Sequence, residues 1–172
     1  MGRWWLEMKK PFLLFIDMEV TPSLVIGNAN IPLAKVRLLL ISAPMVEVIT
    51  DSDTTVFAEI GQGVRQAPNV SCAAADDHIR GRPLVMVETL DDQLNASLVA
   101  RARHFGVPVN VPDNPPLSSV YLGSIVDRAP LTVAISLSRM APVLGQNLRM
   151  RIEYMLPSNY GNLAVYLHQV HQ

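Results

Sequence analysis

Cysteine is nearly missing from this chain of 172 residues, which holds a single one at Cys72. One thiol cannot form an intramolecular disulfide or a multi-cysteine metal cluster, so the zinc-finger and iron–sulfur classes are excluded. The chain is also long enough to bury a core without cross-links. We therefore expect a protein of a reducing compartment, the cytoplasm.

A predominance of one charge sign and a long apolar run are missing as well. The formal net charge is −1 and 17% of the residues are charged, so no basic field exists to attract nucleic acid. The apolar run 11–16 stops at Asp17, and we interpret it as folded structure rather than a signal peptide. No segment reaches the roughly 18 uncharged apolar residues that a membrane span needs, so we expect no membrane partner.

The sequence does contain an alternation of β-type and helical patterns. The order is strand 23–27, helix 33–41, strand 46–50, strand 83–87, helix 91–105 and strand 107–111. Parallel strands need a crossover helix, so this alternation predicts an α/β fold, a Rossmann-type doubly wound parallel sheet. The glycine-rich polar segment 61–82 is expected to be irregular, with one weak strand near Val70.

A cluster of structure breakers, Asn114-Pro115-Pro116, predicts a boundary between a Rossmann domain at 1–113 and a different module. The elements expected in that module are a strand at 131–136, a helix at 141–156 and a short amphipathic helix within 158–172. Segment 114–150 is too short to bury its own apolar strand and helix. We therefore predict that 114–150 builds a homodimer and that 151–172 forms a helical tail.

The first candidate site is the turn after the first strand, where a dinucleotide-binding fold presents backbone N–H groups to a pyrophosphate. Cofactor binding is assigned to the residues of this turn: Gly27, Asn28, Ala29, Asn30 and Ile31. Only the first glycine of the fingerprint is present, because Ala29 and Pro32 occupy the places of the second glycine and the small third residue. The alternative is a plain strand-to-helix turn that binds no ligand.

Asp51 closes the second strand roughly 20 residues after that turn, where a carboxylate bonds the ribose hydroxyls of NAD and repels a 2′-phosphate. This position favours NAD over NADP as the cofactor. The alternative is a solvated loop aspartate, because Ser52, Asp53 and Thr54 continue a polar turn.

Further polar candidates follow the later strands. Asp113 comes just after a strand, where a carboxylate can act as a general base or simply cap a turn. Arg128 can pair with ligand carboxylates or with a neighbouring acid, and Ser136 ends another strand. The histidines show no metal-ligand spacing apart from His168 and His171 near the terminus, so we expect no metal site.

Several motifs between about residues 12 and 157 together resemble one family. They are Leu14-Phe15-Ile16-Asp17, Pro22 to Gly27, Lys35 to Leu40, Thr89 and Asp91, Leu94-Asn95-Ala96, Val109-Asn110-Val111 with Asp113, Ser124 to Ser136, and Pro142-Val143-Leu144. In these motifs the chain resembles the precorrin-2 dehydrogenase and sirohydrochlorin ferrochelatase family, which includes the N-terminal domain of sirohaem synthase. An ordered set of this kind is far more specific than a lone glycine motif.

The resemblance implies an NAD-binding Rossmann domain, a homodimer that exchanges strands, and a C-terminal helical part. Family members oxidise precorrin-2, a tetrapyrrole, to sirohydrochlorin with NAD, and some also insert iron to give sirohaem. Asp113 looks like the family's acid–base residue, and Thr89 and Asp91 match at its cofactor site. The positions assigned to tetrapyrrole binding are Asn110, Arg128, Ser136, Ser138 and Arg139.

The chain also departs from the family pattern. A Gly-Gly-Gly turn has become Gly27-Asn28-Ala29, Gly123 replaces a proline, and the glycine loop after Ser136 reads Leu137-Ser138-Arg139-Met140-Ala141. The helical tail is expected to be truncated relative to the family. Two hypotheses follow: an NAD-dependent dehydrogenase, or a non-catalytic dimeric relative that binds a tetrapyrrole, a metal-tetrapyrrole or a protein partner.

Overall fold

The computed structural model describes residues 12–27, 33–50, 57, 60, 63–67, 75–137 and 141–171. The chain divides into two compact units. Among the described residues, one unit lies within Phe15–Tyr121, and the other comprises residues 122–171 together with residues 12–14.

A parallel sheet of five strands forms the centre of the first unit, in the order β3-β2-β1-β4-β5. The strands are β1 Ser23–Gly27, β2 Val46–Ile49, β3 Val64–Ala67, β4 Val85–Glu88 and β5 Val109–Asn110. All residues of β1 and β2 are buried, which is typical of parallel strands covered on both faces.

Helices cover both faces of this sheet: α1 Leu33–Leu40, α2 Ala75–Ile79 and α3 Asp92–His104. Successive side chains of a strand point to opposite faces, and the two apolar cores follow this rule. Leu24 and Ile26 pack in one core with Leu98 of α3, whereas Val25 packs in the other with Val36 of α1. The predicted Rossmann-type doubly wound fold is thereby confirmed.

The segment 61–82 is more regular than the sequence predicts. It forms β3 and α2, while Val70 lies outside the described residues. β3 has the sequence Val-Arg-Gln-Ala, which lacks a β-type pattern and becomes a strand by pairing with β2. In the described part of the segment, the sequence did not predict helix α2, because this helix is only five residues long and is held by its buried ends, Ala75 and Ile79.

The division between the two compact units falls after Tyr121, and the domain boundary at Asp113 stays a prediction. The prolines do interrupt regular structure, since Pro115–Leu117 is a short 3-10 turn. After this turn, two serine hydroxyls hold the chain against β5. Ser119 Oγ accepts a hydrogen bond from Val109 N at 2.9 Å, and Ser118 Oγ accepts one from Val111 N at 2.8 Å.

The second unit combines an antiparallel hairpin with two helices. Its elements are β6 Ser124–Arg128, β7 Leu131–Ile135, α4 Pro142–Met155 and α5 Tyr160–Val170. Helix α5 passes so close to the hairpin that a Cβ atom on Gly161 would collide with the carbonyl oxygen of Ala129. Among the described helices, none has the length and apolar character required to cross a membrane.

Candidate functional site

The sheet changes direction between β1 and β4. The chain runs from β1 outward through β2 and β3, and then crosses back to place β4 on the other side of β1. Ligands of open α/β sheets bind at the carboxyl ends of the strands at such a switch point. β1 ends at Gly27 and β4 ends at Glu88, and these two residues are register partners. Gly27 therefore lies where the sequence predicts the cofactor turn.

Some predicted site residues lie outside the described residues. They are Asn28, Ala29, Asn30, Ile31, Asp51, Ser138 and Arg139. Their assignments to cofactor and substrate binding stay predictions.

An ion pair that the sequence analysis missed occupies the switch point. Lys35 Nζ in the first turn of α1 donates to both carboxylate oxygens of Glu88, at 2.7 Å each. The Glu88 side chain is 13% exposed and that of Lys35 is 24% exposed. No sequence pattern could predict the pair, because its members are 53 positions apart.

Thr89 and Asp91 shape the loop from β4 to α3. The Thr89 amide donates to Asn95 Oδ1 at 3.1 Å, and Asn95 Nδ2 donates back to the Thr89 carbonyl at 3.0 Å. Asp91 is the N-cap of α3, where its Oδ1 accepts from the Gln93 and Leu94 amides at 2.8 and 3.1 Å. Both residues thus fix the loop beside the switch point, and Asn95 is the buried anchor to which the sequence analysis gave no role.

Asp113 lies beyond the carboxyl end of β5, on the β4 side of the switch point. Its exposed side chain makes no hydrogen bond or ion pair with any residue that the structure describes. The alternative role of a turn cap requires such a bond to a backbone amide. The geometry therefore favours a carboxylate that is available to a ligand.

The other described candidates are engaged in structural contacts. Arg128 Nε donates to the Leu156 carbonyl at 2.7 Å and Nη2 donates to the Glu153 carbonyl at 3.3 Å, so the guanidinium caps the end of α4. Asn110 Nδ2 donates to the Val120 carbonyl at 3.0 Å. Ser136 is exposed one residue after β7. These contacts give Arg128 and Asn110 structural roles, and their assignments to tetrapyrrole binding stay predictions.

A second buried charge cluster lies near the amino ends of the strands, at the end of the sheet opposite the switch point. Glu47 is 1% exposed, and its carboxylate contacts His78 Nδ1 at 2.6 Å and Arg82 Nη2 at 2.7 Å. Arg82 Nη1 also donates to the carbonyl of Pro22, just before β1 begins. Because ligands of such sheets bind at the carboxyl ends of the strands, this cluster stabilises the fold and does not contribute to the ligand site. No group of three or more potential metal-ligating side chains gathers within the described part of the chain.

Comparison with known protein families decides the class of this fold. A family model described as "Putative NAD(P)-binding" matches residues 14–124, which is more than half of the chain. The chain belongs to this NAD(P)-binding family. The prediction of a dinucleotide-binding domain is confirmed.

Individual relatives agree with the resemblance found in the sequence. The chain is 35% identical over 156 residues to siroheme synthase of Nitrosomonas europaea, covering 89% of this chain and 32% of that protein. It is 40% identical over 152 residues to siroheme synthase 1 of Klebsiella pneumoniae subsp. pneumoniae, covering 88% and 32% respectively. The chain thus spans about a third of the length of the curated relatives it matches.

A solved structure named "SirC, precorrin-2 dehydrogenase" shares the fold. The TM-score is 0.63 at 15% identity, and the match covers 92% of this chain and 78% of that one. The predicted resemblance to the precorrin-2 dehydrogenase and sirohaem synthase family is confirmed by these similarities.

Proposed function

We propose that this chain is an NAD-dependent dehydrogenase that oxidises the tetrapyrrole precorrin-2 to sirohydrochlorin. The single observation on which the proposal depends is Asp113, an exposed carboxylate without a structural partner among the described residues, beyond the carboxyl end of β5. The family match supports the dinucleotide, and the names of the relatives support the tetrapyrrole.

The residues at the switch point fit a dinucleotide. Gly27 ends β1 opposite Glu88, and α1 begins at Leu33, so a helix N-terminus follows the turn. The turn 27–31 would hold the pyrophosphate, and Asp51 would bond the adenosine ribose, which favours NAD over NADP. When bound, NAD supplies a hydride acceptor.

Asp113 would provide the acid–base chemistry of the oxidation. As the tetrapyrrole loses a hydride, one proton must also leave the macrocycle to complete the new double bond. The Asp113 carboxylate would accept this proton and release it to solvent, because its side chain is exposed. Thr89 and Asn95 would keep the adjacent loop in position through their mutual hydrogen bonds.

We also propose a homodimer, for which the second unit offers the surface. Large apolar side chains of α4 and α5 are exposed, among them Val143 at 70%, Tyr154 at 89% and Met155 at 72%. Exposed apolar patches of this kind are typical of association surfaces. The single cysteine further supports a cytoplasmic protein.

A non-catalytic tetrapyrrole-binding protein is the second candidate. The substitutions at Asn28, Ala29, Ser138 and Arg139 favour it, because these residues stand where the family has glycines that let backbone approach a ligand. Anaerobic incubation of the purified chain with precorrin-2 and NAD, followed by NADH absorbance, tests the dehydrogenase. Formation of NADH and sirohydrochlorin in equal amounts is expected. Calorimetric binding of sirohydrochlorin without NADH formation would instead support the binding protein.

A further inference from the structure

The ion pair between Lys35 and Glu88 is unusual in its location. Glu88 is the last residue of β4, its register partner Gly27 is the last residue of β1, and Lys35 is in the first turn of α1. The pyrophosphate of a dinucleotide binds between these elements in this fold. A carboxylate that is 13% exposed thus occupies the neighbourhood in which an anionic ligand is expected.

The charges of this pair have opposite effects on such a ligand. An unpaired carboxylate would repel the pyrophosphate, and the low local dielectric would strengthen the repulsion. Lys35 cancels that charge by donating two of its three N–H groups to Glu88. Its third N–H group makes no bond with any residue that the structure describes, so the ammonium can also serve an anion.

We propose that Lys35 and Glu88 together set the affinity for the dinucleotide. Lys35 is the cation that faces the pyrophosphate, and Glu88 weakens binding because it competes for that cation. This inference depends on the proposed binding of NAD, and it identifies two residues that determine its strength. A pair that only stabilised the fold would not change NAD affinity in opposite directions when either partner is neutralised.

Calorimetric titration of the full chain with NAD tests the proposal. Glu88→Gln keeps the shape and leaves a net positive charge, so NAD affinity should rise about tenfold, as a partly screened unit charge predicts. Lys35→Met leaves a net negative charge, so affinity should fall by a similar factor. The double variant restores neutrality and should return to within about threefold of the parent.

The matched control is Asp76→Asn, which also removes the acid of an ion pair. Asp76 pairs with Arg101 in the last turn of α3. This end of α3 is opposite the Asp91 cap, so NAD affinity should stay within about twofold. Thermal unfolding of each variant shows whether it is folded. If Lys35→Met fails to fold, Lys35→Gln replaces it, and Glu88→Gln alone still decides the direction.

Three results distinguish the inference about Lys35 and Glu88 from the proposed function. The inference is wrong if the parent binds NAD and both single variants have affinities within about twofold of it, or if both affinities change in the same direction. The proposed binding of NAD is then retained. If only Glu88→Gln binds NAD, the inference is supported while the proposed function of the parent fails. If neither the parent nor Glu88→Gln binds NAD, both are wrong.

Discussion

Asp113 is the residue at which the proposed chemistry can be tested most directly. Asp113→Asn retains the shape of the side chain and removes the group that titrates, so turnover should fall by roughly 10² to 10⁴. NAD and tetrapyrrole affinities should be retained. Anaerobic single-turnover kinetics and calorimetry measure the two effects separately.

Asp127→Asn is the matched control for Asp113→Asn. Asp127 is another exposed aspartate, and its Oδ1 accepts a hydrogen bond from the Ala129 amide that asparagine can also accept. Its turnover should equal that of the parent. Equal turnover of Asp113→Asn and the parent would instead show that Asp113 is not the acid–base residue.

Among single residues, Arg82 is the one whose replacement should lower the free energy of unfolding most. Arg82→Met removes the guanidinium partner of the buried Glu47, and breaking one side of a buried ion pair costs about 3–5 kcal/mol of unfolding free energy. Arg37→Met, at an exposed position of α1, should change it by less than about 0.5 kcal/mol. Urea denaturation provides the comparison, and equal losses in the two variants would contradict the assigned role of Arg82.

The placement of a residue was predictable from the sequence where it depends on local position, whereas the role of Asp113 stays a prediction. Asp113 follows a recognisable strand, and its exposure agrees with that placement. The pairing of Glu47 with Arg82 depends on residues 35 positions apart, and the capping of α4 by Arg128 depends on residues 28 positions apart. Such partners meet only after the chain has folded, so one-dimensional patterns contain no signal for them.

At the scale of single elements, two glycines in helices provide a matched pair. The Cβ of Gly161→Ala would collide with the Ala129 carbonyl, so this variant should lose about 1–3 kcal/mol of stability. The Cβ of Gly145→Ala would have ordinary contacts of 3.6 Å with Leu137 and Ser124, so this variant should gain about 0.5–1 kcal/mol. Thermal unfolding measures both changes, and a stabilised Gly161→Ala would show that α5 does not approach the hairpin so closely.

Elements were predictable when their own residues had a clear period or cap. Helix α3 runs from Asp92 to His104 as expected, because Asp91 caps it and its buried residues recur at helical spacing. Helix α2 and strand β3 were not predictable. With five and four residues, they are too short to show a period, and they depend on contacts with neighbouring elements.

At the scale of the whole molecule, the predicted homodimer is testable by sedimentation. The chain has a mass of 18.9 kDa, and a species of about twice that mass is expected at micromolar concentration. Val143→Asp should raise the dimer dissociation constant at least about tenfold, because the interface would then bury a charge. Val20→Asp replaces a valine that is 93% exposed in the first unit and should have no effect. A parent that sediments as a monomer would exclude the dimer.

The doubly wound parallel sheet could be predicted because parallel strands need crossover helices, and the sequence alternates strand and helix patterns. The path of the chain after Pro116 could not be predicted, because proline and asparagine predict only where regular structure stops. The return of Ser118 and Ser119 to β5 depends on hydroxyl hydrogen bonds that no breaker pattern encodes.

These serine contacts also limit how copies of the chain can aggregate. A strand at the border of a sheet normally offers free amides and carbonyls to which a foreign strand can add. Here the Val109 and Val111 amides donate to serine hydroxyls, and the Val109 carbonyl accepts from the Ser119 amide at 2.8 Å. The β5 border is therefore closed by the chain itself, and it is protected against the strand addition through which exposed sheets form fibrils.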